Sequence, residues 1–298
     1  MRTRNSTLFD VAPVTLLMLG INILFYAISA KYSDNLLDIN RTVLLNMHGS
    51  MRELVWEGEW IRLIAPCFLH GGLMHILLNS MALYNLGPGT EVQFGSANFG
   101  TIYLVSGICG FCCSQIFGGH LSIGASCSLF GIIGADLAVK IMACPVLKNA
   151  WRNSDVRRTV YFALFYLAIG WIGMLGNVDN WGHFGGLLSG MLLGSLFEVW
   201  RVRQRIGVFR IASVVFLLTL LVCAARWSIF SPYYHVHMMA LAVEEEHRPD
   251  KAAQEFEQAR RWAKFWNVEP RINSLIYEYQ RGTWSLNDVR VYGYSGLR

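Results

Sequence analysis

Seven apolar runs, near 11–30, 66–87, 95–117, 122–142, 160–176, 181–200 and 209–227, constrain this chain more than any other feature. Each is about as long as a helix needs to cross a hydrocarbon core of about 30 Å. In lipid every backbone N–H and C=O needs a partner within the protein, so runs of this length select helices. Composition agrees: 54% of residues are apolar, only 15% are charged, and mean hydropathy is +0.37. The expected fold class is all-α, a polytopic membrane helical bundle with a six-span core, a seventh span and a small soluble helical tail.

The chain divides accordingly into residues 1–10 as an N-terminus, 11–200 as the core, 201–230 as a basic linker with the seventh span, and 231–298 as the tail. The first run follows Met1-Arg2-Thr3-Arg4 and ends in Ala27-Ile28-Ser29-Ala30, which imitates a secretory cleavage site. Its apolar part is longer than a usual signal core, which favours an uncleaved span. Basic residues gather in alternate loops: Arg2 and Arg4; Lys140, Lys148, Arg152, Arg157 and Arg158; Arg201, Arg203, Arg205 and Arg210. That alternation puts the N-terminus and these loops in the cytoplasm. The net charge of +5 therefore reads as a topology signal, not a nucleic-acid footprint. The first loop, about 31–65, mixes both signs and carries an apolar part expected to dip into the outer leaflet. The seven cysteines lie in or beside apolar runs, and no disulfide framework, metal cluster, phosphate loop or cofactor motif is read.

The run at 209–227 ends at Arg226-Trp227 and is short, so a tilted crossing and an interfacial helix both stay open. Beyond it, Ala252, Ala253, Phe256, Ala259 and Trp262 recur at helical spacing between Pro249 and Pro270. Two small-residue helices joined by a turn suit a tetratricopeptide-like hairpin or an unpartnered helical tail. Its aromatics, Trp262, Phe265 and Trp266, suit docking of substrate ectodomains or simple core packing.

The chemistry rests on Ser126 in Gly-Ala-Ser-Cys-Ser-Leu-Phe-Gly at 124–131 and on His183 in Trp-Gly-His-Phe-Gly-Gly at 181–186. A serine hydroxyl is a weak nucleophile unless a base takes its proton, and polar groups are costly inside a membrane. No Asp or Glu is read as lying near Ser126 in the outer half of the spans, so histidine is the natural base. Spans four and six both run from outside to inside, bringing Ser126 and His183 to the same depth. Gly182, Gly186, Gly190 and Gly194, facing Gly131 and Gly134, let the two backbones approach. His75 and Asn79, four residues apart in span two, share a helix face and suit an oxyanion, with the Ser126 N–H as a further donor.

These residues resemble the rhomboid intramembrane serine proteases over about 11–200. The resemblance runs through Trp60-Ile61-Arg62, His70 with His75 and Asn79, Gly87-Pro88 with Glu91, Gly-Ala-Ser-Cys at 124–127 and Gly182-His183-Phe184-Gly185-Gly186. It implies a nucleophile at Ser126, a general base at His183, oxyanion support from His75 and Asn79, and structural roles for His70, Trp60, Arg62, Glu91 and Gly186. It also implies transmembrane protein substrates, no cofactor, and an active site opening outward, with a bacterial plasma membrane as the expected location. Two positions depart from the family: Cys127 replaces the common glycine, and Phe130 the common tyrosine while keeping a ring to stack on His183. A Cys127 nucleophile is disfavoured because its side chain points about 100° around the helix from Ser126. The competing reading is a catalytically silent relative that binds or escorts membrane clients; a haem or proton-conducting protein built on His75 and His183 has no support in the spacing.

Overall fold

The computed structural model describes residues 11–56, 59–118, 121–144, 147–172, 178–203, 232–265, 269–283 and 285–286. The seventh run and Trp266 lie outside them. Among the described residues the fold is helical, with two isolated β-bridges, Asp38 to Gly72 and Ser50 to Ser122. The chain forms two compact units: Met1–Ser50 with Trp60–Leu221, and Met51–Glu59 with Val222–Arg298.

The larger unit contains α1 (Pro13–Ser33), α2 (Arg41–Asn46), α4 (Leu73–Phe94), α5 (Ser96–Phe117), α6 (Ser126–Met142), α7 (Ser154–Ile172) and α8 (Asn180–Arg203). By length and composition alone, α1 and α5 are apolar enough to cross a membrane. Of the other long helices, α4 and α8 carry Gly, Ser, His and Asn that lower their hydropathy, and α6 and α7 carry Asp with Lys or Arg. The second apolar run, expected from 66, becomes helix only at Leu73. Pro66 sits in a 3-10 turn, Ala65–Phe68, and Gly72 runs extended so close to the Leu37 carbonyl that a Cβ would collide with it. At the other end α4 does not stop at Gly87-Pro88 but continues to Phe94. That extension carries the Glu91 carboxylate to the start of α1, where it accepts from the N–H of Val14 (2.9 Å) and of Thr15 (2.7 Å). It also accepts from Ser96 Oγ (2.6 Å) at the head of α5. One buried carboxylate thus satisfies orphan donors of one helix and ties three helices together.

In the first loop, Arg62 is buried and donates to the carbonyls of Leu45 (2.8 Å) and Gly49 (3.0 Å), while Trp60 stays exposed. Helices α5, α6 and α8 pack tightly because glycines remove the side chains between them. A methyl group on Gly186 would strike the Cys127 carbonyl, one on Gly190 the Gly131 carbonyl, and one on Gly134 the Leu187 carbonyl. Cys109 and Cys112 stand at C-x-x-C spacing on α5; both are buried free thiols, acting as small apolar side chains.

The smaller unit comprises the first-loop helix α3 (Arg52–Trp56) with α9 (Pro232–Glu244), α10 (Pro249–Phe265) and α11 (Glu269–Gln280). Its interior is Val236, Ala259, Ala263, Ile272, Leu275 and Ile276, extended by Met239, Ala242 and Ala252. Alanines along α10 let α9 lie close, and His235 Nδ1 meets Glu255 Oε2 at 2.5 Å.

Candidate active site

Ser126 opens α6 two residues after Gly124, whose φ of +124° is a conformation that suits glycine. The Gly124 N–H donates to the Pro66 carbonyl (2.9 Å), fixing the turn that presents the hydroxyl. His183 lies in the first turn of α8. With Gly186 and Gly190 holding the two helices together, His183 Nε2 is 2.7 Å from Ser126 Oγ. The Phe130 ring stacks on the imidazole, centroids 4.5 Å apart and planes 16° from parallel. Among the described residues, His183 Nδ1 is buried without a hydrogen-bond partner, so no acid is bound to the imidazole.

His75 reaches the same place from α4. Its Nδ1 accepts from the Gly71 N–H (3.3 Å), which leaves Nε2 as the protonated nitrogen. A Cβ added at Gly124 would lie 2.7 Å from that Nε2 and 3.5 Å from Ser126 Oγ, so an N–H donor converges on the hydroxyl's surroundings. His70 is buried and meets the His75 ring edge-on at 5.1 Å. Asn79 is buried on the same face, but its Nδ2 donates to the His75 carbonyl (3.1 Å), spending one of its two hydrogens within α4.

Cys127 packs away from the Ser126–His183 contact. Its side chain is buried where α5 and α8 present Gly110 and Gly182, each of which would clash with it if given a Cβ. The glycines opposite make the room that glycine at 127 would otherwise supply.

One expectation needs correcting. An acidic residue does stand at this end of the bundle: Asp179 precedes α8, accepting from the Gly182 N–H (2.9 Å) and from Ser122 Oγ (2.5 Å). Its carbonyl also accepts from the His183 N–H (3.0 Å). The signal was legible as a cap, Asp followed three residues later by the second residue of an apolar helical run, but it falls between two runs and reads as loop.

The sequence matches the Rhomboid domain family over residues 57–200. It is 32% identical over 195 residues to Rhomboid protease GluP of Bacillus subtilis, covering 65% of this chain and 36% of that protein. It is 36% identical over 146 residues to RHOMBOID-like protein 5 of Arabidopsis thaliana, covering 48% of this chain and 46% of the relative. RHOMBOID-like protein 7 of the same plant is 38% identical over 148 residues, with 49% and 46% covered. The chain thus spans between about a third and a half of the length of these relatives. The helical bundle among the described residues agrees with the matched domain: residues 57–200 are a Rhomboid domain, which makes the chain an integral membrane protein.

Proposed function

We propose that this protein is an intramembrane serine endopeptidase that cuts other membrane proteins in or beside their transmembrane segments. The observation that carries the reading is the 2.7 Å contact between Ser126 Oγ and His183 Nε2, with the His75 Nε2–H side facing the same turn. Ser126 Oγ attacks the scissile carbonyl carbon while its proton passes to His183 Nε2. The carbonyl oxygen becomes an oxyanion, held by the N–H of Ser126, His75 Nε2–H and the remaining hydrogen of Asn79 Nδ2. The intermediate collapses, the C–N bond breaks, and His183 returns the proton to the leaving amine. Water deprotonated by the same imidazole then releases the acyl group and regenerates Ser126. An extended substrate strand is needed for attack, which favours helix-weakening residues near the cut.

Cleavage of a model transmembrane substrate in liposomes tests this. Ser126→Ala and His183→Ala should each abolish it while the proteins still insert, because the pair acts as a unit. Turnover by a well-folded Ser126→Ala variant at the wild-type rate contradicts the proposal.

The same reading places the N-terminus in the cytoplasm and the site's mouth outside. If the run at 209–227 crosses the membrane as a seventh span, the C-terminal helices lie outside as well. A Ser285→Cys variant on intact cells should then react with a membrane-impermeant thiol reagent. Reaction only after lysis returns the tail to the cytoplasm.

A further inference from the structure

We infer that Asp179 is a positioning residue that sets the phase of the helix carrying His183; the inference rests on the dyad reading above. Asp179 sits at the N-cap of α8 and uses its two carboxylate oxygens for different partners. Oδ1 accepts from the Gly182 N–H (2.9 Å), one of the donors that a helix start leaves unsatisfied. Oδ2 accepts from Ser122 Oγ (2.5 Å). Ser122 lies in the strand-like stretch that leads through Gly124 to Ser126, so a single side chain connects the segment presenting the nucleophile with the helix presenting the base.

The connection extends further. Ser122 exchanges both backbone hydrogen bonds with Ser50 (3.0 and 2.9 Å), and Gln115 Nε2 donates to Ser50 Oγ (2.6 Å). The turn 49–50 is in turn held by Arg62, which donates to the Gly49 carbonyl. A polar chain therefore runs from the first loop through Ser50, Ser122 and Asp179 to the residue beside His183. Gly182 leaves no room for alternatives, since a Cβ there would lie 2.5 Å from Asp179 Oδ2 and 2.8 Å from Cys127 Sγ. His183 Nδ1 has no hydrogen-bond partner among the described residues, so the imidazole depends on α8 itself and on Phe130 for its orientation. A small rotation of α8 would lengthen the bond to Ser126, and a misplacement of about 1 Å is worth about 10²-fold in rate.

The test compares Asp179→Ala, Asp179→Asn and Ser122→Ala in full-length protein, with cleavage kinetics and the ring-nitrogen NMR signals of His183, assigned by their loss in His183→Ala. Asp179→Ala should lower kcat by about 10- to 100-fold with KM little changed. Asp179→Asn keeps an oxygen for the Gly182 N–H and should restore most of the rate, since Asn and Asp cap equally well. The Ser122→Ala/Asp179→Ala double variant should be no slower than Asp179→Ala alone. The NMR signature of the bond to Ser126 should vanish in Asp179→Ala and persist in Asp179→Asn, a readout independent of turnover. An unchanged signature in Asp179→Ala, or equal loss of rate in the Ala and Asn variants, overturns the inference. An absence of wild-type cleavage with the signature behaving as described would sink the protease reading and leave this one standing.

Discussion

The two units differ most in what they expose. In the larger, Leu17, Ile23, Leu24, Met74, Leu77, Met81 and Phe165 are exposed, while the interior mixes Phe99, Ile102, Tyr103 and Phe111 with Ser106, Ser114, Ser128, Ser189 and the glycines of α8. In the smaller unit Ala259, Ile272, Leu275 and Ile276 are likewise buried, but the surface is charged, with Glu245, Glu246, Arg248 and Asp250 exposed. Lipid offers no hydrophobic reward for burying a leucine, so helices there gain from close backbone contact and polar residues are kept inward. Water rewards apolar burial, and α9–α11 follow that rule. One chain therefore carries two kinds of surface, one suited to lipid and one to water, and the larger unit adds close backbone contact and inward-facing polar residues to its apolar core.

The contrast can be broken most severely at the glycines. Gly186→Ala places a methyl group against the Cys127 carbonyl, and Gly20→Ala meets nothing within 4 Å. The first should eliminate cleavage by driving α6 and α8 apart; the second, on α1, should leave it intact. Equal activity in the two variants would mean that backbone contact does not set the dyad.

A smaller effect separates polar residues placed for chemistry from those placed for pairing. His75→Ala should cost about 10²–10³ in kcat, about 2.7–4 kcal/mol, with the melting temperature in detergent nearly unchanged. His235→Ala removes the partner of Glu255 in the smaller unit and should lower that unit's stability while sparing cleavage. A His75 variant with a normal rate would deny it the oxyanion role. The mildest perturbation is Ala259→Leu, which overpacks the interior of α9–α11 at a cost of about 1–3 kcal/mol. Thermal unfolding should reveal the loss and substrate cleavage should not; the opposite pattern would make the smaller unit part of the catalytic apparatus.

Much of the candidate site's geometry could be read from the sequence because the proposed chemistry requires particular residue types. Ser126 and His183 were matched by depth along two spans, and they lie 2.7 Å apart; Phe130 was expected over His183 and stacks there. Other features depend on local backbone geometry that apolar periodicity does not encode. The start of α4 was displaced to Leu73 by a 3-10 turn and a close approach at Gly72, and Pro88 did not end the helix. Asn79 was expected to share a target with His75, but it bonds back to the His75 carbonyl as well. Asp179 went unnoticed because a helix cap lies where hydropathy falls, between the runs that draw attention.

Labelling by a fluorophosphonate in liposomes addresses the central claim most directly, since it requires an activated hydroxyl, an oxyanion site and a folded bundle at once. The account predicts one modified residue, Ser126, with labelling lost in Ser126→Ala and in His183→Ala. Labelling that persists in a folded Ser126→Ala protein, or that never occurs in a wild-type protein shown to be folded, would contradict it.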